Sequence, residues 1–206
     1  MNPQIFKPIT AIITVLFTVA ITSAQKANPE DGVLINGVVW AKYNVNAPGT
    51  FAAKPEDPGM LYQWNRKVAW AAIGKVTGWN NTISESDTWK KANDPSPAGW
   101  RVPTLGEIKT LFDFDKVSNE WIVQNNTSGI KITDKATGNS IFLPAAGFRG
   151  SDDGALYYAG ELGYYWSNTA YELHETRAYY LCFKSTTMYW HNNYRRGGFS
   201  VRAVAE

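Results

Sequence analysis

One cysteine in 206 residues, Cys182, excludes an internal disulfide. It also excludes CxxC and Cys/His metal sites by count. The two histidines, His174 and His191, make a zinc site only with carboxylates brought from elsewhere. Charge is equally scarce: 20 basic against 18 acidic residues leave +2, with no basic run to mark a nucleic-acid or anionic-membrane surface. Phosphate-binding loops and dinucleotide fingerprints are missing, Gly197-Gly198 being too little for either. No segment repeats and no tract is of low complexity.

The long apolar run, Ile9 to Ile21, follows a single positive charge, Lys7, and ends in Thr22-Ser23-Ala24. That is the anatomy of a secretory signal peptide over residues 1–24. Its thirteen residues fall short of the roughly 20 that span a bilayer, an uncleaved anchor being the alternative. No cysteine follows, so lipid anchoring is not expected, nor is membrane insertion after cleavage. The exported chain is expected to be secreted, periplasmic or on the cell surface. It begins with a polar leader, residues 25–32, and continues as one domain over residues 33–206.

What is present is mainly aromatic and β-branched. Asn36-Gly37 between "VLI" and "VVWA" predicts a tight hairpin. Residues 44–60 read as an irregular loop, and "MLYQWNRKVAWAA" as a strand followed by a short helix. One helical turn is expected around "SDTWKKA". "PTLGEI" carries a capping box, Thr104 with Glu107, and Leu105, Ile108, Leu111 and Phe112 line one face of a helix ending near Lys116. Beyond residue 120 the period changes to two. A hairpin turns at Thr137-Gly138-Asn139, and "ALYYA", "GYYWSN", "RAYYLCF", "TTMYWHN" and "GGFSVRAV" read as further strands. Helix in the first half and strands in the second predict an α+β domain with antiparallel sheets and one or two helices in the N-terminal half.

No catalytic group stands out. Both histidines lie in contexts that read as exposed connections, away from any nucleophile elbow. Cys182 reads as a small buried hydrophobe, and Asp152-Asp153 as a solvated turn or, less simply, a calcium loop without EF-hand spacing. The richest feature is aromatic and amide: Trp166, Asn168, Tyr171, Tyr189, Trp190, His191, Asn192, Asn193 and Tyr194 are the candidate ligand-binding residues. Rings and amides facing outward are the composition of binding surfaces. Trp166, Tyr180 and Trp190 serve equally well as core, whereas consecutive amides in "HNNY" point to exposure. No cofactor, no metal and no enzyme activity is expected.

"VVWAKYNV", "YQWNRKVAW", "GWRVPT", "FLPAAGFRG", "YYWSNT" and "GFSVRAV" occur in an order that resembles the bacterial Fibrobacter succinogenes major paralogous domain family, over roughly residues 33–205. The resemblance implies a C-type lectin-like fold, in the variant shared with formylglycine-generating enzymes, whose first and last strands pair. Val33 to Trp40 would then lie beside Phe199 to Val204. It also makes Trp100, Arg101 and Arg202 framework residues. The chain departs from the family pattern at Pro95-Ser96-Pro97 and Ala203, where members often carry a cysteine pair. It lacks the cysteines of the formylglycine-generating relatives and the Glu-Pro-Asn or Gln-Pro-Asp signatures of calcium-dependent lectins. Some relatives of the fold carry a diversified C-terminal binding segment, and "MYWHNNYRRGGFSVRAV" has that form. The expected function is recognition of a glycan or protein by a secreted or surface-associated, non-enzymatic module. The alternatives are a structural subunit assembling with other surface proteins and a diversified binder.

Overall fold

The computed structural model describes Met1 and residues 26–206; the candidate signal peptide and the start of the leader lie outside the described residues. A 3-10 turn at Pro29–Asp31 leads into the hairpin β1 (Gly32–Ile35) and β2 (Val38–Ala41). Asn36 (φ 43°) and Gly37 (φ 82°) supply the two left-handed residues that a two-residue hairpin turn needs. The next hairpin is β3 (Met60–Gln63) with β4 (Ala69–Ala71). The helix expected after β3 does not form. Asn65 takes φ 56°, and its amide oxygen accepts the Lys90 backbone N–H at 2.8 Å, so the chain turns back instead of winding on.

A second 3-10 turn, Lys91–Asn93, stands where one helical turn was expected. After β5 (Trp100–Arg101), the six-residue helix α1 (Leu105–Thr110) starts at the predicted capping box: Thr104 Oγ1 accepts the Glu107 N–H at 3.1 Å, and Glu107 Oε2 accepts the Thr104 N–H at 2.7 Å. Arg101 clamps the same carboxylate from both nitrogens, at 2.8 and 2.6 Å. Burial pushes the Glu107 carboxyl up, but Arg101 and the Thr104 donors outweigh it and hold the group below its ordinary value. The helix stops six residues short of Lys116. Lys116 and Val117 both donate to the Asp113 carbonyl, a turn that delivers Val117 into the core.

The rest is antiparallel β-structure. β6 (Val117–Gln124), β7 (Thr127–Asp134) and β8 (Ser140–Pro144) form one meander. β9 (Phe148–Arg149) and β10 (Leu156–Tyr157) are short, and β11 (Gly163–Ala170), β12 (Arg177–Lys184) and β13 (Thr187–Tyr194) form a second meander. The chain closes with β14 (Gly198–Phe199) and β15 (Val204–Ala205), two pieces where one strand was expected. β14 joins the sheet β10-β9-β14-β3-β4, and β15 inserts between β2 and β5, with Val204 opposite Trp40. The expected pairing is met only at its Trp40–Val204 end: β1 pairs with β2 alone, and Phe199 lies opposite Tyr62 of β3 instead.

The β11-β12 pair is the wall between two cores, which explains six consecutive buried residues from Ala178 to Phe183. Tyr165, Leu181 and Phe183 face a cluster with Ile108, Leu111, Ile132 and Leu143. Trp166, Tyr180 and Cys182 face the other, with Tyr62, Trp64, Phe199 and Val201. Gly163 lies under the Phe183 ring, where an added Cβ would come within 2.0 Å of it. Gly163→Ala is therefore expected to destabilise the domain by about 2 kcal/mol through overpacking, read as a lower urea midpoint at unchanged slope.

Three buried arginines tie distant loops and strands together. Arg202 donates to Asn44 Oδ1 (2.9 Å), Ala41 O (3.2 Å) and Phe142 O (2.8 Å). Arg149 donates to the carbonyls of Ala71, Ile73, Gly74 and Gly154. Arg195 donates to those of Ser84, Ser86 and Arg177 while lying 4.4 Å from the Trp64 ring centroid. All three are 3 % exposed or less, and none is in an ion pair among the described residues. They act as hydrogen-bond hubs, a task suited to the fixed fork of five donors.

Candidate functional site

The nine candidate residues do not form one surface. Trp166 is fully buried: its Nε1 donates to Tyr62 O at 2.8 Å, and its ring stacks on Phe199 at 4.0 Å. It is core, because the middle of β11 has packing on both sides. Asn168 is half-buried framework. Its N–H donates to Pro103 O at 2.7 Å and its amide to Val102 O at 3.3 Å, fastening β11 to the "GWRVPT" segment. His191 lies on β13 rather than in a connection; it is exposed, with Nδ1 3.0 Å from Asn192 O.

The six residues of β13 alternate between two faces of an edge strand. Trp190, Asn192 and Tyr194 stand in register with Leu181, Tyr179 and Arg177; Tyr189, His191 and Asn193 stand with Cys182, Tyr180 and Ala178. On the first face the rings already have partners. Lys109 Nζ lies 4.2 Å from the Trp190 centroid, and the Arg177 guanidinium lies 4.5 Å from that of Tyr194 while donating to Asn192 Oδ1 at 3.0 Å. Tyr171 packs edge-on against Tyr179 at 5.3 Å, and the Tyr179 hydroxyl donates to the Glu172 carboxylate. This face is a web of self-contacts rimmed by charge.

The second face is different. Tyr164 stacks on Tyr180 with centroids 5.0 Å apart and planes 8° from parallel. Phe148 lies 4.6 Å from Tyr164, 5.6 Å from Tyr157 and 6.0 Å from Tyr158. Tyr189 adjoins through Cys182, its partner across the strands. The result is a strip of rings that surfaces at Tyr157 and Tyr158 at one end and at Tyr189 at the other, these three being 42 %, 54 % and 43 % exposed. Its groups are held neutral. Burial pushes the Tyr164, Tyr180 and Cys182 acidities out of reach at neutral pH, and hydrogen bonding to Cys182, with burial, pushes Tyr189 up to about 12. Cys182, 1 % exposed, has no thiolate character there.

Beside the strip lies a cavity of about 240 Å³, lined among others by Phe148, Asp152, Asp153, Tyr157, Asn193 and Phe199. Sequence reading missed Phe148, Tyr157, Tyr158 and Tyr164. The available signal was Tyr157-Tyr158 between Gly154 and Gly160: two consecutive large rings in so short a segment between glycines have little around them to bury both. Tyr158 ends β10 early by taking φ 55°, a conformation that bulky side chains seldom adopt and that clusters at functional sites.

The model of the Lcl C-terminal domain family matches residues 36–205. The chain belongs to that family. The match takes in the buried residues of both cores except Ile35, the three buried arginines and the strip. The family is tied to the Fibrobacter paralogous group that the ordered motifs resemble. No curated protein and no solved structure matches the chain. Among the described residues, no three His, Cys, Asp or Glu side chains are grouped to hold a metal ion.

Proposed function

We propose that this Lcl C-terminal domain is a non-enzymatic binding module of an exported bacterial protein, and that its ligand surface is the aromatic strip from Tyr157 and Tyr158 to Tyr189. The observation that carries the reading is the array of rings reaching solvent at both ends, set on the wall between the two cores. Rigid rings offer contact area at low entropic cost, and the amides and carboxylates at the margin fix orientation. A glycan suits this chemistry better than a charged partner, because no ionised group lies within the strip itself. The anatomy of residues 1–24 supports export, to the periplasm, the cell surface or the medium. A C-type lectin-like fold is part of the proposal, supported by the β2-β15 pairing that draws the ends of the domain together.

Binding of the protein to a glycan array, with calcium and then with chelator, tests the reading. Saturable binding unaffected by chelator is the expected result; a blank from folded protein would transfer the surface to a protein partner.

A second reading, an assembly subunit, is favoured by one observation. β13 is an edge strand with Tyr189, Trp190 and Tyr194 at least 40 % exposed, and open edges template pairing with another chain. Sedimentation over a hundredfold concentration range separates the two: the assembly reading requires oligomers that a proline at Trp190 abolishes, and the binding reading requires none.

A further inference from the structure

We infer that the cavity beside the strip is a subsite for a single neutral sugar ring. The inference rests on the binding reading above and assigns it a ligand class. Size is the first argument. A volume of about 240 Å³ lies below the roughly 300–1,000 Å³ of clefts that enclose drug-sized ligands, and admits one ring rather than a chain.

Rigidity is the second. The loop from Arg149 to Tyr157 is fastened at every turn: Gly150 N–H to Ala155 O (2.9 Å), Gly154 N–H to Gly150 O (3.1 Å), and Trp79 Nε1–H to Ser151 O (3.1 Å). Arg149 adds a bond to Gly154 O at 2.7 Å. The Asp153 carboxylate accepts the Ala155 N–H at 2.9 Å and the Tyr157 hydroxyl at 3.2 Å. At Gly150 a Cβ would meet Asp153 Oδ1 at 2.7 Å and the Tyr157 ring at 2.9 Å, so the glycine is what lets carboxylate and ring stand together. The site is formed before any ligand arrives, and little ordering is left to oppose binding.

Charge balance decides the ligand's charge. Asp152 is paired with Arg196 at 3.2 Å, and Asp153 is held by the Ala155 N–H and the Tyr157 hydroxyl, while the buried Arg149 guanidinium is spent on backbone carbonyls. The lining therefore presents two carboxylates, each with a partner of its own, and no uncommitted guanidinium, so it disfavours an anion and, among the described residues, offers a metal cation no set of three ligands. What remains is directional: lone pairs of Asp152 and Asp153 that accept hydroxyl protons, the Asn193 amide that donates to a hydroxyl oxygen, and the Phe148 and Tyr157 rings as a C–H-facing wall. Acceptor, donor and aromatic wall within one small cavity match the alternating hydroxyl and C–H surface of a pyranose.

The test is titration of the protein with a panel of neutral methyl glycosides, followed by backbone amide chemical shifts. One glycoside is expected to saturate with a millimolar dissociation constant, about 4 kcal/mol of binding, with shifts confined to residues near 148–157 and 193–199. Asp152→Asn, whose carboxylate is 81 % exposed, should weaken it about tenfold without lowering the melting temperature. Asn193→Ala should act likewise, and Trp190→Ala on the opposite face should not. Absence of shifts with every glycoside at about 100 mM, or equal affinity in Asp152→Asn and Asn193→Ala, overturns the subsite. If a larger glycan still binds at Tyr158 and Tyr189, the subsite fails while the strip survives as a ligand surface; if no glycan binds anywhere on this face, both readings fail.

Discussion

Arg202→Met is expected to lower the unfolding free energy by about 3–5 kcal/mol, and the melting temperature by roughly 6–20 °C for a chain of this size. The guanidinium is 1 % exposed and bonds three groups that have no route to water: Asn44 Oδ1, Ala41 O and Phe142 O. Burial lowers its pKa to about 10, so it stays protonated at neutral pH and the bonds are charge-assisted. Methionine fills the volume but leaves the three acceptors unsatisfied, and an orphaned buried acceptor costs more than the bond contributed. Arg202→Lys keeps the charge yet cannot present donors in three directions from a planar fork, so it should recover less than half of the loss. Urea unfolding of both variants measures this. A change under 1 kcal/mol for Arg202→Met would mean that the guanidinium is a passenger in the core.

Above pH 10 the folded state should collapse cooperatively, with tyrosine ionisation as the driving term. Burial raises Tyr62, Tyr164, Tyr165 and Tyr180 above the ordinary value of 10.0, and the bond to Cys182, with burial, raises Tyr189 to about 12. Between 10 and those raised values the folded chain holds protons that the unfolded chain releases, so stability is whole below pH 10 and is lost as pH rises. Arg202 acts in the opposite direction: its folded value near 10 lies below its ordinary 12.5, which adds stability over that interval. Burial lowers Arg149 and Arg195 likewise, so three such groups stand against the five tyrosines. Absorbance at 295 nm should therefore show a late, steep ionisation step coincident with loss of near-ultraviolet circular dichroism. Smooth ionisation of all the tyrosines with the dichroism intact would contradict the packing of both cores.

Local signals were the legible ones. Asn36-Gly37 announced its turn because only certain residues tolerate that backbone, and Thr104 with Glu107 announced α1 because a capping box is complete within four residues. The pairing of Trp40 with Val204 and the framework roles of Arg101 and Arg202 came from the ordered motifs of the family. The rest depended on distant partners. Arg149 meets carbonyls some 75 residues away and Arg195 meets those of Ser84 and Ser86, so neither carries a local pattern. β11 and β12 read as half-exposed because tyrosine and tryptophan suit either side of a surface. Here Tyr165 satisfies its hydroxyl on Pro144 O and Trp166 its N–H on Tyr62 O, which lets both be buried. The candidate ligand residues were sought mainly in β13, where alternation divides them between two faces. The face with the open rings takes most of its surface from Phe148, Tyr157, Tyr158 and Tyr164, which precede β13 by dozens of residues.

The most direct test compares the two faces of β13. Tyr158→Ala with Tyr189→Ala on one face, and Trp190→Ala on the other, would each be applied to the glycan array beside the unaltered protein, with melting temperatures recorded. The strip as ligand surface predicts that the tyrosine pair erases the array signal, a loss of at least about tenfold in affinity, while Trp190→Ala retains it. Loss of the signal with Trp190→Ala, and retention with the tyrosine pair, would place the ligand on the opposite face and contradict the account.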